Sequence, residues 1–261
     1  MKAPILLHYN LSERVNAFST TREDGYSTGA YSSFNANHYC GDDPDAVNKN
    51  RELLVKGLGI RHESLIIPHQ THGKKVLLID KEFMTLAPAE KAFRLEGIDA
   101  LITALPDICI AVSTADCVPI LLYDKGNNVV AAIHAGWRGT VSRIINETIA
   151  LMEKNYQTDP ANIHACIGPS ISAKAFEVGD EVYEAFATAG FPMEQIAHRE
   201  TEKWHIDLWK ANCLELENNG TPTRNIQITG ICTHGNAERF FSARRLGIHS
   251  GRILSGISLK P

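Results

Sequence analysis

The sequence lacks the features that define several large classes of protein. No apolar run approaches the roughly 20 residues of a membrane span. MKAPILLHYN, residues 1–10, is too weakly apolar for a secretory leader and predicts a first strand. Lys and Arg total 26 against 30 for Asp and Glu, so the excess of positive charge typical of nucleic-acid-binding proteins is missing. We therefore expect a cytoplasmic protein that binds neither membranes nor nucleic acids and shows no sign of an obligate protein partner.

The six cysteines contain no C-x-x-C pair, which argues against a zinc knuckle or a thioredoxin-like redox motif. Several of them lie inside apolar, strand-like runs. In a reducing compartment most such thiols are small buried hydrophobic groups. We expect at most one or two of them to carry chemistry.

The composition is that of a folded domain: 44% of the 261 residues are hydrophobic and 21% are charged. The chain has no repeats, no low-complexity tract and no linker rich in Pro, Gly or Ser. We therefore predict a single domain over residues 1–261.

Short apolar runs predict strands, and they are followed or separated by amphipathic segments. The predicted strands are LITA, CIAVST, PILLYD, VVAAIHA, IHACIG and IQITGICT, with KVLLID and RILSGISL as weaker candidates. CIAVST, PILLYD and VVAAIHA predict a hairpin or meander that turns at residues 125–128. Their apolar residues do not alternate strictly with polar ones, so both faces of the sheet are expected to be covered.

Four helices are predicted from apolar spacing and capping residues. One covers residues 141–156 with Thr140 as its N-cap, and another runs from Asp45 to Leu58. Asp180 and Asp207 are expected to cap two more, EVYEAFATAG and LWKANCLELENNG. Helices on a buried sheet indicate an α+β or α/β domain of three layers, α/β/α.

Three segments share one design, in which an apolar run is followed by a potential metal ligand. IIPHQTHG contains His69 and His72, STADCVP contains Cys117, and AAIHAGWRG contains His134. Two imidazoles and one thiolate suit zinc, or copper because sulfur is a soft ligand. Three protein ligands leave a fourth position open, as in catalytic zinc sites.

The same residues allow an interpretation without metal. Cys117 and His134 could form a thiolate–imidazolium pair that acts as nucleophile and base. In a third interpretation Cys117 is a core thiol and His134 is a hydrogen-bonded strand end. Asp116, next to the cysteine, could orient a histidine or carry a proton in either active form.

The chain resembles the YfiH-like family, also described as laccase-domain polyphenol oxidases and as multifunctional purine nucleoside phosphorylases. The matching stretches run nearly end to end: FSTTREDGYSTGAYSSFNANHYCGDDPDAVNKNR, PHQTHG, DALIT, TADCVPILLYD, AAIHAGWRGT, CIGPSIS, FEVGDEV, IDLWKAN, ICTH and RFFSARR followed by GR. TADCVPI and HAGWRGT are highly specific as a pair.

The resemblance implies metal ligands, a fold and activities. In the family the metal is held by the histidine of Q-x-H-G, the cysteine of A-D-C and the histidine of H-A-G-W-R-G, which are His72, Cys117 and His134 here. His69 is then a supporting or merely local residue. The implied fold is mixed α/β and is shared with toxin-like cysteine hydrolases. The implied activities are phosphorolysis of adenosine, inosine, guanosine and methylthioadenosine, and deamination of adenosine, with copper-dependent phenol oxidation also attributed to the family.

Phosphorolysis requires a phosphate site, and residues 136–140 suggest one. Gly136 and Gly139 would let backbone N–H groups approach an anion at a helix start, and Arg138 could donate two hydrogen bonds. Arg244 and Arg245 are further candidates for binding phosphate. Trp137, Phe240 and Phe241 could stack on a base, although such aromatic residues more often belong to the core. His234 and His249 lie outside the family pattern and are expected in a solvated loop.

Four functions therefore stay open. The first is a zinc-dependent purine nucleoside phosphorylase with adenosine deaminase activity, in which loss of Arg138 harms phosphorolysis more than deamination. The second is a metal-free cysteine hydrolase that uses Cys117 and His134. The third is a copper-dependent polyphenol oxidase, and the fourth is a non-enzymatic binding domain with a structural metal.

Overall fold

A computed structural model of the chain describes residues 3–260. Its strands are β1 Leu6–Tyr9, β2 Val15–Thr20, β3 Leu65–Ile66, β4 Val76–Leu78, β5 Ala100–Thr103, β6 Cys109–Thr114, β7 Val118–Asp124, β8 Val129–Ala135, β9 Ile163–Ile167, β10 Glu177–Val178, β11 Ala197–Glu200, β12 Lys203–Ile206, β13 Ile226–Ile228 and β14 Ile253–Leu259. Its α-helices are α1 Pro44–Leu58, α2 Lys81–Thr85, α3 Pro88–Arg94, α4 Trp137–Val141, α5 Ile144–Tyr156, α6 Asp180–Thr188, α7 Met193–Ile196, α8 Leu208–Asn218 and α9 Ala243–Leu246. Short 3₁₀ turns connect several of these elements.

The strands form two large sheets and one small one. The five-stranded sheet has the order β1-β2-β14-β6-β3, and the six-stranded sheet has the order β13-β9-β7-β8-β5-β4. A three-stranded sheet has the order β10-β12-β11. Each large sheet combines antiparallel pairs with parallel pairs at its edges, namely β3 with β6, β4 with β5, and β13 with β9. The predicted α+β class with a mixed sheet is confirmed.

The two large sheets pack face to face, because alternate residues of their strands point into a shared core. In β6, Ile110 and Val112 lie in the core between the sheets, whereas Ala111 faces the other way. In β7, Leu121 lies in that same core and Leu122 packs against helices. The structure therefore has two central β layers where the sequence predicted one. Apolar runs without alternation indicate that both faces are covered, but they do not distinguish a helix from a second sheet as the cover.

Helices cover the outer face of each sheet. α1 packs Leu54 and Val55 on the five-stranded sheet, and α5 and α8 cover the six-stranded one. α1 starts with a hydrogen bond from Asp45 N to the Asp43 carboxylate and ends at Gly59, whose φ of 69° suits a residue without a side chain. The predicted cap Asp207 is confirmed, since its carboxylate accepts from Lys210 N.

Two predicted helix starts are wrong. The segment 141–156 is not continuous, because Arg143 has a φ of 62° that separates α4 from α5. Thr140 therefore lies inside α4 and caps neither helix. Asp180 is the first residue of α6, whose N-cap is Gly179. The Asp180 carboxylate instead accepts a hydrogen bond from Trp204 Nε1 at 3.1 Å.

Two strand predictions also need correction. β7 and β8 form the expected hairpin, but β6 belongs to the other sheet, so the three strands are not a meander. The run IQITGICT forms a strand only over Ile226–Ile228, and the residues after it enter a loop. Within residues 3–260, no helix is both long and apolar enough to cross a membrane.

Candidate metal centre and active site

Strand register brings two of the three predicted ligands together. Val118 in β7 pairs with Ala135 in β8, so Cys117 lies directly beyond this pair. His134 is the neighbour of Ala135 in β8. Cys117 also belongs to the short segment in which the chain crosses from β6 in one sheet to β7 in the other. The cysteine and the histidine therefore meet at one end of the six-stranded sheet.

The third ligand, His72, lies on the loop of residues 67–75, which also crosses between the two sheets. His72 has a φ of 63°, a left-handed conformation that is uncommon for residues with a side chain. Gln70 holds the loop to the end of β6: its Nε2 donates to Ser113 O at 2.9 Å, and its Oε1 accepts from Ser113 N at 2.8 Å.

Asp99 connects the loop to the buried histidine. Its Oδ1 accepts from His72 N at 3.0 Å and from His134 Nδ1 at 2.8 Å, while its Oδ2 accepts from Gly73 N at 2.7 Å. The ionised carboxylate has no proton to donate, so Nδ1 of His134 carries a proton, and Nε2 is the nitrogen that would bind a metal after losing its own proton. Burial raises the pKa of Asp99, but its hydrogen bonds and the charge of His134 outweigh this effect, and the net shift is downward.

The side chains of His72, Cys117 and His134 form a group suited to a single metal ion, which we call the candidate metal centre. Their ligand atoms all lie within 4.8 Å of one another, and the two imidazole ring centres are 4.9 Å apart at an interplanar angle of 70°. His134 is buried and His72 is exposed. The group is therefore supported from the protein interior and open towards solvent on one side.

The group also has the electrostatics of an ion pair. Burial raises the pKa of the Cys117 thiol, but the charge of His134 and hydrogen bonds from both histidines lower it to about 6. Burial lowers the pKa of His134, but the charge of Cys117 and the hydrogen bond to Asp99 raise it to about 9. A thiolate at neutral pH is the form that binds metals and attacks electrophiles.

Gly136 makes room for these ligands. A Cβ at this position would lie 3.0 Å from Cys117 Sγ and 3.1 Å from His72 Cδ2. The glycine is needed because the sulfur and the ring approach the backbone closely. Gly139 is constrained similarly, since its Cβ would lie 3.2 Å from Gly73 O.

The candidate metal centre lies at the wall of a cavity of about 530 Å³. This volume is in the range of small-molecule sites. The cavity is lined by polar, aromatic, basic and aliphatic side chains, which include Tyr39, His69, Gln70, Trp137, Ile171, Phe176, Arg244, Ile248 and Arg252. The arrangement can hold an anionic or polar molecule with an aromatic part next to a metal ion.

The other predicted site residues divide between the cavity and its surroundings. Arg244 lines the cavity, whereas Arg138, Arg245 and Gly139 are absent from its lining. Arg138 stacks on Trp137 with its guanidinium carbon 4.3 Å from the ring centre, and Arg245 donates to His234 O at 3.1 Å.

The carboxylate of Asp116 lies at the cavity but is occupied by hydrogen bonds. It accepts from Thr233 Oγ1 at 2.6 Å, Ser242 Oγ at 3.0 Å and Arg244 N at 2.7 Å. Asp116 itself has a φ of 82°. These contacts anchor the segment that presents Arg244.

Among the remaining candidates, Phe240 and Phe241 are fully buried in the core and are not available to stack on a ligand. His69 lines the cavity, where it pairs with Glu96 at 2.7 Å and stacks on Tyr39 at 4.2 Å. His234 and His249 are not among the grouped ligand residues of the described chain.

Sequence reasoning missed Asp99 as a site residue. The available signal was an acidic residue directly before the buried run ALIT, where a charge is unfavourable without partners. Its partners are backbone N–H groups of the 67–75 loop and the imidazole of His134 on β8. No local sequence motif predicts these contacts.

The chain matches the family described as multi-copper polyphenol oxidoreductase laccase over residues 16–260. It is 49% identical to a purine nucleoside phosphorylase of Bacteroides thetaiotaomicron over 247 residues, which make up 94% of this chain and 92% of that protein. It is 46% identical over 250 residues to adenosine deaminase RL5 of an unknown prokaryotic organism, covering 95% of each chain.

The fold is also similar to that of solved structures. YlmD from Geobacillus stearothermophilus has a TM-score of 0.92 at 29% identity and covers 100% of this chain and 98% of its own. The hypothetical protein YfiH of Bacillus licheniformis has a TM-score of 0.91 at 28% identity, with coverage of 99% and 97%.

Proposed function

The chain belongs to the multi-copper polyphenol oxidoreductase laccase family, and on that premise we propose that it is a zinc-dependent purine nucleoside phosphorylase that also deaminates adenosine. The resemblance to YfiH-like proteins is confirmed, and relatives at up to 49% identity are named purine nucleoside phosphorylase and adenosine deaminase. The proposed substrates are adenosine, inosine, guanosine, methylthioadenosine and phosphate.

One observation carries the proposal: three potential metal ligands lie within 4.8 Å of one another at the wall of a cavity large enough for a nucleoside. Thiolate and imidazole are both common zinc ligands, and three protein ligands are typical of catalytic zinc sites. His72 is exposed and Cys117 is half-buried, so the group is open to a substrate on its cavity side.

The residues fit a zinc ion in charge and in orientation. Cys117 supplies the thiolate, and Asp99 fixes the proton of His134 on Nδ1 so that Nε2 faces the group. A zinc ion bound there would supply Lewis-acid activation of an oxygen nucleophile. His72 completes the ligand set from the 67–75 loop, whose backbone Asp99 holds in place.

Arg244 is the proposed phosphate-binding residue, because it lines the cavity and Arg138 does not. Its Nη1 donates to Glu177 O at 2.9 Å, which fixes the guanidinium at the rim. Asp116 positions Arg244 through the hydrogen bond to its backbone N–H. We therefore expect Arg244→Met to reduce phosphorolysis more than deamination, and the matched variant Arg138→Met to leave their ratio unchanged. If only Arg138→Met changed the ratio of phosphorolysis to deamination, the result would instead support Arg138 as the phosphate-binding residue.

The direct test is to incubate zinc-loaded protein with adenosine, with and without phosphate, and to identify the products. We expect adenine and ribose 1-phosphate when phosphate is present, and inosine when it is absent. A protein that holds zinc but converts no nucleoside would refute the proposal and favour a binding domain with a structural metal.

The Cys117–His134 ion pair favours one alternative, a metal-free cysteine hydrolase. Removal of metal with a chelator separates the two functions: a zinc enzyme loses activity, whereas a cysteine hydrolase keeps it and fails on alkylation of Cys117. Copper-dependent phenol oxidation, which the family description names, is tested by loading the protein with copper and following the oxidation of a phenol.

The remaining predictions concern the whole chain. A single domain is supported by the family match over residues 16–260. A cytoplasmic location is proposed from the sequence alone, whose six cysteines contain no C-x-x-C pair.

A further inference from the structure

A second group of potential metal ligands lies on the hairpin formed by β11 and β12, outside the candidate metal centre. His198 in β11 pairs directly with His205 in β12. Glu200 is two residues from His198, so the pleat of the strand places both side chains on the same face. We call His198, Glu200 and His205 the hairpin site.

The ligand atoms of the hairpin site all lie within 4.8 Å of one another. The two imidazole rings stack with their centres 5.2 Å apart at an angle of 21°. His205 Nε2 is 3.9 Å from Glu200 Oε2. The three side chains are therefore close enough to share one ion.

His205 is held in the orientation that a metal ligand requires. Its Nδ1 lies 3.0 Å from the carbonyl oxygen of Ala173. A carbonyl accepts and cannot donate, so Nδ1 carries a proton, and Nε2 is the nitrogen that faces Glu200 and would bind a metal. Fixing of the second nitrogen by a backbone carbonyl is a general feature of metal-binding histidines. The His205 side chain is only 8% exposed, so it keeps this orientation.

The neighbouring basic side chains, Lys203 and Arg199, form no described ion pair with Glu200, so its carboxylate is available to bind a metal ion. Lys203 is the cross-strand neighbour of Glu200, yet no ion pair joins them among the described contacts. The guanidinium of Arg199 is 5.4 Å from the ring centre of Trp204, with which it pairs across the strands. His205 Nε2 and a Glu200 carboxylate oxygen thus face each other at 3.9 Å, close enough for both to contact one cation.

We propose that the hairpin site binds a divalent transition-metal cation, with zinc as the probe ion. Two imidazoles and one carboxylate form a ligand set that accepts zinc, nickel or copper. The site shares no residue with the candidate metal centre, so it is independent of the proposed catalytic function. A bound ion would link β11 and β12 to the 3₁₀ turn Ala173–Ala175 through His205.

The test is a zinc titration of the metal-stripped, full-length protein, followed by NMR of the histidine side chains. We expect the ring signals of His198 and His205 to shift together. We call this joint shift the zinc transition. Glu200→Gln should lower the zinc affinity measured from this transition at least tenfold, and His198→Ala should abolish the transition. Both residues are exposed, so these variants keep the fold.

Two matched variants make the result specific. His62→Ala removes an exposed histidine elsewhere and should leave the transition unchanged. Cys117→Ser disables the candidate metal centre and should also leave it unchanged, which keeps failure of the proposed function distinct from failure of this inference. The inference is overturned if the His198 and His205 signals do not respond to excess zinc, or if Glu200→Gln binds as tightly as His62→Ala.

Discussion

Replacement of Asp99 by asparagine tests how the candidate metal centre is held together. Oδ1 of Asp99 accepts from His72 N and His134 Nδ1, and Oδ2 accepts from Thr71 N and Gly73 N. An asparagine side chain replaces one of these oxygens with an NH₂ donor. In either orientation of the amide, two N–H groups of the site then face a donor instead of an acceptor.

The size of the effect follows from these four contacts. A hydrogen bond to a charged acceptor contributes about 1.5–3 kcal/mol, so two lost bonds correspond to about 3–6 kcal/mol before any relaxation. Residues 71 and 72 are exposed and can turn towards water, so we expect the free energy of unfolding to fall by about 3 kcal/mol, near the lower limit. Zinc affinity should fall about 10- to 100-fold, as is usual when a partner that orients a ligand histidine is removed.

The assay is competition for zinc with a chromophoric chelator, combined with urea unfolding of the metal-free protein. Asp124→Asn is the matched control. Asp124 is as fully buried as Asp99 and accepts hydrogen bonds from Gly126 N and Asn127, but it lies at the opposite end of β7 from Cys117. This control should lose stability and keep its zinc affinity.

The reasoning fails if Asp99→Asn and the parent protein bind zinc equally tightly. That result would mean that Asp99 supports only the fold of the 67–75 loop and has no influence on His134 as a ligand. Equal loss of zinc affinity in Asp99→Asn and Asp124→Asn would also refute it, because the effect would then be global.

Three further variants or conditions test neighbouring parts of the structure. Gly136→Ala should lower zinc affinity at least tenfold, because its Cβ would lie 3.0 Å from Cys117 Sγ. The affinity is measured by chelator competition, and an unchanged value would contradict this prediction. In the metal-free protein, burial raises the pKa of Cys117 but the neighbouring histidines bring it to about 6; alkylation by iodoacetamide should therefore rise with pH around a midpoint near 6, and a midpoint above 8 would contradict the ion pair. Arg143→Met should destabilise the fold by about 2–4 kcal/mol, because it leaves the buried Glu215 carboxylate unpaired. Burial raises the pKa of Glu215, and Arg143 opposes this effect. Without Arg143 the pKa of Glu215 in the folded protein should rise further, so ionising this carboxyl at higher pH lowers the free energy of unfolding. Urea unfolding should therefore show a larger loss of stability at pH 8 than at pH 5.

Local motifs, together with the resemblance to the YfiH-like family, were enough to predict the three potential ligands and several element boundaries. H-A-G-W-R-G and A-D-C each place a ligand at the end of an apolar run, and the structure brings His72, Cys117 and His134 into one group. The cap of α8 at Asp207 and the end of α1 at Gly59 follow from contacts within a few residues. Such features are predictable because their causes are local in sequence.

The division of the strands between two sheets could not be predicted. CIAVST and PILLYD have the same apolar character. The chain passes from one sheet to the other in the few residues between them. Asp116 has a φ of 82° there, and its carboxylate and carbonyl both accept hydrogen bonds from distant segments, including one from Ile171 N at 2.9 Å. Those partners lie far away in sequence, so nothing near CIAVST indicates that the next strand joins another sheet.

The phosphate-binding assignment shows the same limit for side chains. Arg138 follows a ligand histidine closely in sequence, but α4 directs it onto Trp137. Arg244 is more than a hundred residues from Cys117 along the chain, yet Asp116 binds its backbone N–H and brings it to the cavity. Proximity in sequence favours Arg138 as the phosphate-binding residue, whereas a hydrogen bond to a buried carboxylate places Arg244 at the cavity, and we propose Arg244 for this reason.

The position of the candidate metal centre links its chemistry to the stability of the fold. Two of its ligands come from segments that cross between the large sheets, residues 67–75 with His72 and residues 115–117 with Cys117, and the third ends β8. An ion bound by all three would join both crossings to the six-stranded sheet. Because the unfolded chain has no preformed site, the free energy of binding this ion would add to the free energy of unfolding. The 67–75 loop is the most exposed of the three segments and is held otherwise by Gln70 and Asp99. Metal removal should therefore increase amide hydrogen exchange first in this loop and leave β7 and β8 protected.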